Sequence, residues 1–183
     1  MTSTFSVCVF CGSRPGTDPA YLQAAQDVGA ALADRQWRMV FGAGDRGMMG
    51  AVADAMGDDG NRLGIIPQHL VGFEAKNQDL GGAIITDDMH SRKKLMFVNS
   101  DAVVVLPGGA GSLDEFFEVL TWAQLGLHQR PVILVNIAGY WDPLIALIDH
   151  VIAQGFADAS LRQFFSTATS VAETIAQLDA SAA

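Results

Sequence analysis

Apolar positions along this chain follow two rhythms. Short, mostly β-branched runs at residues 7–11, 38–41, 63–66, 83–86, 102–106 and 131–137 have the length and composition of buried strands. Longer segments between them repeat every three to four residues. Leu22, Ala25, Val28 and Leu32 share one face of a helix that follows Asp18-Pro19, an N-cap with proline at the first helical position. Asp142-Pro143 repeats the device before Leu144, Leu147, Ile148, Val151 and Ile152, and Gly155 supplies the stop. Ser170-x-x-Glu173 opens a last helix carrying Ile175 and Leu178. No linker, repeat or low-complexity tract interrupts the alternation. It predicts one α/β domain, a doubly wound parallel sheet with helices on both faces.

Ligands of such sheets bind beyond the carboxyl ends of the strands, where the strand order reverses. Three strand-to-helix turns are equipped for that edge: Gly12-Ser13-Arg14, the run Gly42-Ala43-Gly44-Asp45-Arg46-Gly47, and Pro107-Gly108-Gly109-Ala110-Gly111-Ser112-Leu113-Asp114-Glu115. The third joins an apolar strand to a helical run at 116–125. Free N–H groups and the positive end of a helix dipole there suit a phosphate. Its glycines let the main chain approach a ligand that a Cβ would push away. Glu115 stands at the edge of that site, with two readings: a carboxylate for chemistry, or the far end of a capping box, Ser112-x-x-Glu115. The second turn matches G-x-G-x-x-G, but it does not lie in the first βα unit. The acid that would hold a ribose about twenty residues on is not in place either, since Asp58 and Asp59 come early and Glu74 late. No nicotinamide or flavin cofactor is expected.

Charge narrows the partners. Eleven Lys and Arg against twenty Asp and Glu give the 183 residues a net charge of −9, which argues against a nucleic-acid surface. The adjacent Arg92, Lys93 and Lys94 in so acidic a chain suit a small anion. No apolar stretch is long enough to span a membrane, and the N-terminus lacks the pattern of a secretory signal. Cys8 and Cys11, three apart in a strand, face opposite sides, so they read as buried thiols in a reducing cytoplasm and not as a chelating pair. His69, His128 and His150 lack metal spacing, and no metal is expected, while His90 reads as a structural histidine at a helix start. Phe116, Phe117, Val119, Leu120, Trp122, Ala123 and Leu125 surround only Glu118 and Gln124. A helix apolar all round is covered on more than one side, which predicts a homodimer.

Two motifs, Pro107 to Glu115 and Met89-His90-Ser91-Arg92-Lys93, resemble those of the LONELY GUY (LOG) family of cytokinin riboside 5′-monophosphate phosphoribohydrolases. Gly47-Met48-Met49-Gly50, Gly64-Ile65-Ile66-Pro67 and residues 118–126 support the likeness, which runs over residues 7–155. It implies a Rossmann-like fold, a dimer, and hydrolysis of the N-glycosidic bond of a nucleoside 5′-monophosphate, without cofactor, to free base and ribose 5-phosphate. The family's catalytic residues fall on Arg92 and Glu115, and substrate contacts on Glu74, Lys93 and the loop Gly109, Ala110, Gly111, Ser112, Leu113 and Asp114, with Gly108, Ser13 and Met89 beside them. Ser112 replaces the commoner threonine, Asp114 stands where glutamate is frequent, and Ala43 occupies a usual glycine. Some relatives carry an older label of lysine decarboxylase, whose chemistry needs a pyridoxal-bound lysine that nothing here indicates. Two other readings are a non-catalytic carrier of a phosphorylated cofactor, such as a molybdenum-cofactor carrier, and a dinucleotide-dependent oxidoreductase.

Overall fold

The computed structural model describes residues 4–57, 61–74 and 83–183, apart from the side chain of Glu74. Its strands are β1 (Ser6–Phe10), β2 (Arg38–Phe41), β3 (Arg62–Pro67), β4 (Ile84–Thr86), β5 (Ala102–Val105), β6 (Val132–Val135) and β7 (Ser166–Ala168). Its helices are α1 (Pro19–Asp34), α2 (Gly47–Ala55), α3 (Val71–Glu74), α4 (Met89–Val98), α5 (Ala110–Gln124), α6 (Asp142–Ala153) and α7 (Val171–Ala182). The strands form one sheet in the order β4-β3-β2-β1-β5-β6-β7, and every pairing is parallel. The chain winds outward from β1 to β4, then returns to the other side of β1 with β5. The order therefore reverses between β1 and β5, as a doubly wound sheet requires.

Alternation along the strands divides the core in two. Val7 and Val9 pack on one face with Val28 and Leu32 of α1, Val52 of α2 and Leu178 of α7. Cys8 and Phe10 pack on the other with Met96 of α4, Phe116 and Leu120 of α5, and Ile148 of α6. Cys11, just past the end of β1, belongs to the first face, so the two free thiols lie in opposite layers, as their spacing predicts. Burial raises the pKa of both, with the negative charge of Glu115 adding to it.

Several local expectations need correction. The strand read as 131–137 ends at Val135, because the chain turns there into a single 3₁₀ turn, Ile137–Gly139, with Ala138 at φ +51°. Strand β7 escaped the sequence reading because Ser166-Thr167-Ala168 is short and only Ala168 is buried. Asp142 is not an N-cap. Helix α6 starts at Asp142 itself, and its carboxylate accepts from Asn136 Nδ2 at 2.7 Å. Asp18 does cap α1, accepting from the Ala20 N–H at 2.9 Å, and Ser170 caps α7 by accepting from the Glu173 N–H at 3.2 Å. In α5, Phe116, Val119, Leu120 and Ala123 are buried, the first three in the second core layer, while Phe117 is exposed on the outside, where the sequence predicts a covering subunit. Among the described residues no helix is long and apolar enough to cross a membrane.

The cap at Asp18 is a local test of this start of α1. Asp18→Ala is expected to lower unfolding free energy by about 1 kcal/mol, and Asp18→Asn, which keeps the acceptor, to restore most of it. Denaturant midpoints at unchanged slope measure both; equal stability of all three proteins would refute the cap.

Candidate active site

The first and third glycine turns meet where β1 and β5 diverge. The Gly12 N–H donates to Pro107 O at 3.0 Å, tying the two turns backbone to backbone. Beyond Pro107 the chain enters α5 sooner than expected. The helix begins at Ala110 with Gly109 at the cap position, and its first turn is closed by the Leu113 N–H donating to Gly109 O at 3.1 Å. Ser112 is therefore the third helical residue and not a cap, so the capping box proposed for Ser112 and Glu115 does not form. A box of nearly that kind exists at Ser170 and Glu173, where the Glu173 carboxylate accepts from the Thr169 N–H at 2.7 Å.

The early start has a chemical consequence. The N–H groups of Ala110, Gly111 and Ser112 precede any carbonyl one turn back and sit at the positive end of a helix of fifteen residues. They border a cavity of about 460 Å³. Gly108 and Gly109 line it from the third turn, Ala110, Gly111, Ser112 and Glu115 from α5, Ser13 from the first turn, and Met89 and Arg92 from α4. Gly108 has no room for a side chain, since a Cβ there would lie 2.0 Å from Ser112 Oγ.

Arg92 is the buried charge of the site, with 4% of its surface exposed. Asp88 starts its helix by accepting from the Ser91 N–H at 2.7 Å. The arginine Nε donates to Ile65 O at 3.1 Å and Nη2 to Gly42 O at 2.8 Å, while Met89 Sδ lies 3.8 Å from Nη1. Backbone carbonyls within β3 and just past β2 thus hold the guanidinium against the cavity wall, where burial alone would be costly. Arg92 and Glu115 act on the same place: Cys8, whose pKa burial raises first, is pushed further up by the charge of Glu115 and pulled down by that of Arg92.

The glycines of the G-x-G-x-x-G turn have occupants from within the chain. A Cβ on Gly42 would meet Arg92 Nη2 at 2.0 Å, and the Gly44 N–H donates to Met49 Sδ at 3.1 Å. The turn receives side chains of its own protein where a pyrophosphate would have to approach.

Other residues singled out from the sequence stand elsewhere. Lys93 Nζ is paired with Asp114 Oδ2 at 2.9 Å and Glu118 Oε1 at 3.3 Å, joining α4 to α5 outside the cavity lining. Leu113 packs against the second core layer. Glu74 ends α3, and its side chain lies outside the described residues. Arg14, singled out only as part of the first turn, lines the cavity, as do Tyr21, Met48, Met49, Leu70 and Tyr140, for which sequence reasoning found no site role. Met48 and Met49 were visible as part of a motif, whereas Tyr140 carried no signal pointing at a turn 32 residues earlier. Among the described residues no group of three or more His, Cys, Asp or Glu could hold a metal ion.

A cavity at the reversal point, bordered by a helix start and a buried arginine, marks this as a Rossmann-like α/β protein built to receive an anion. Comparison with known proteins is narrower. A family model described as "possible lysine decarboxylase" matches residues 49–178. A probable cytokinin riboside 5′-monophosphate phosphoribohydrolase from Oryza sativa subsp. japonica, LOG4, is 41% identical over 97% of this chain and 78% of its own. The Arabidopsis thaliana phosphoribohydrolase LOG3 is 41% identical over 94% and 81%. The chain belongs to the LOG family of phosphoribohydrolases. Among solved structures, a molybdenum cofactor binding protein from Rippkaea orientalis superposes with a TM-score of 0.75 at 22% identity over 98% of both chains, a likeness of fold.

The decarboxylase description finds no support at Lys93. Burial draws its ammonium pKa down, but the Asp114 hydrogen bond and the charges of Glu118 and Asp114 outweigh it, and the net direction is upward. A Schiff-base lysine needs the opposite shift.

Because Gly42 makes room for Arg92, Gly42→Ala is expected to displace the guanidinium and cut turnover of a nucleoside monophosphate about a hundredfold. Gly72→Ala, with open space around it, is expected to leave turnover unchanged. Normal turnover in Gly42→Ala would show that Arg92 need not sit where the carbonyls hold it.

Proposed function

We propose that this protein hydrolyses the N-glycosidic bond of adenosine 5′-monophosphates, N6-modified ones included, to free base and ribose 5-phosphate. One observation carries the reading: a helix start suited to a phosphate, a carboxylate and a fixed buried arginine border a single cavity. The phosphate rests on the N–H groups from Gly109 to Ser112 and the Ser112 hydroxyl, and this remote contact orients the reacting carbon. As the C1′–N9 bond breaks, positive charge grows on the ribose. Glu115 stabilises that charge, holds a ribose hydroxyl or aligns the water that adds to C1′. Glycosidase carboxylates play such a part by analogy. Arg92 holds its protons too tightly to be an ordinary acid, so it serves as a fixed cation toward the phosphate, the carboxylate or the departing base. Lys93 supports this from behind by binding α4, which carries Arg92, to α5, which carries the phosphate site.

The protein works as a homodimer in a reducing cytoplasm on this reading. The exposed apolar residues of α5 and the loop after it, Phe117, Leu125 and Leu127, support the first part, being large apolar groups left uncovered by their own chain. The two reduced, buried thiols support the second. A carrier of a phosphorylated cofactor is the rival reading, favoured only by the likeness in fold. It would bind without turnover.

Incubation with adenosine 5′-monophosphate and with its N6-isopentenyl derivative, followed by chromatography for free base, separates the two. Glu115→Gln, which keeps the shape of the side chain, is expected to lower base release at least about a hundredfold while the thermal midpoint holds. Near-normal release in that variant would remove Glu115 from the chemistry.

A further inference from the structure

The geometry points to Tyr140 as a positioning residue that locks the phosphate-binding peptide in one orientation; the inference rests on the reading that this turn holds the 5′-phosphate. Tyr140 comes from the far side of the sheet's reversal point, on the connection between β6 and α6, and its hydroxyl donates to Gly108 O at 2.5 Å. A trans peptide is planar, with its carbonyl and N–H pointing opposite ways. Fixing Gly108 O therefore fixes the direction of the Gly109 N–H, the first donor of the helix start. The lock answers a specific hazard. A Gly-Gly peptide meets little steric resistance to rotation, and a rotated one would turn a carbonyl oxygen toward a phosphate instead of an N–H.

The connection is built to hold the tyrosine there. Ala138 and Gly139 take successive left-handed conformations, φ +51° and +71°. Ala138 does so although L side chains rarely adopt that region. Asn136 braces the bend by accepting from the Trp141 N–H at 2.6 Å and donating to Asp142 Oδ1 at 2.7 Å. Trp141 Nε1 donates to Val105 O at 3.2 Å, pinning the same connection to the end of β5. The tyrosine ring is also set from the side, edge-on to Tyr21 at 5.3 Å and to Trp141 at 4.7 Å. The hydroxyl is thus a polar group that this strained loop delivers to the turn, and removing it leaves the ring contacts in place.

The test is binding of ribose 5-phosphate, a readout independent of turnover, by calorimetry on Tyr140→Phe. Its affinity is expected to fall about tenfold, the effect of one lost hydrogen bond to an anion-holding turn, while affinity for adenosine, which lacks the phosphate, stays within twofold. Gln177→Ala, which cuts the side-chain bonds between α7 and β7 away from the cavity, is expected to lower the thermal midpoint but keep the affinity for ribose 5-phosphate. Unchanged binding by Tyr140→Phe, or an equal loss for adenosine and ribose 5-phosphate, would overturn the inference. A wild-type protein that binds ribose 5-phosphate yet releases no base would overturn the hydrolase reading and leave the lock standing. One that does not bind ribose 5-phosphate would overturn both.

Discussion

Where β1 and β5 part, two backbones leave the sheet within hydrogen-bonding distance of one another, and the contact of Gly12 N with Pro107 O closes the crevice between them. The site depends on that approach. It sets where α5 starts, and so where the unpaired N–H groups of its first turn point. It also leaves the carboxyl ends of β2 and β3 close enough for their carbonyls to take the guanidinium of Arg92. Anion-receptive backbone and buried cation are thus two results of one feature of topology.

Arg92 shows how such a charge is kept in the interior. An arginine with 4% exposure loses most of its hydration, and an unpaired guanidinium there would be strongly destabilising. Its donors meet carbonyl oxygens of Ile65 within β3 and of Gly42 just past β2. Lys93, one residue on, has another setting. It is matched by Asp114 and Glu118, and its role is to join helices. Adjacent residues of one basic triplet therefore take different parts according to the face of α4 on which each falls.

The layering of the sheet, the reversal point and the third glycine turn were legible because each rests on local pattern: β-branched runs, helical spacing, and glycines after a strand. The errors have equally local causes. Ser112 and Glu115 imitate a capping box, yet the helix starts at Ala110, beside a Gly108 packed closely against the first turn. The glycines at 42 and 44 imitate a dinucleotide loop, because a sequence records that a Cβ is absent and not what fills the space. Here the occupants are Arg92 and Met49, one of them 50 residues away. Tyr140 was invisible for the same reason, since its partner is a backbone oxygen and backbone carries no signature in sequence. Strand β7 is an edge strand with one buried residue, too little apolar pattern to register.

The most direct measurement is a crystal structure of the Glu115→Gln protein with adenosine 5′-monophosphate bound. The account predicts the phosphate on the N–H groups between Gly109 and Ser112, with C1′ between residue 115 and Arg92. A phosphate seated instead on the Gly42 to Gly47 turn, with the start of α5 empty, would contradict it.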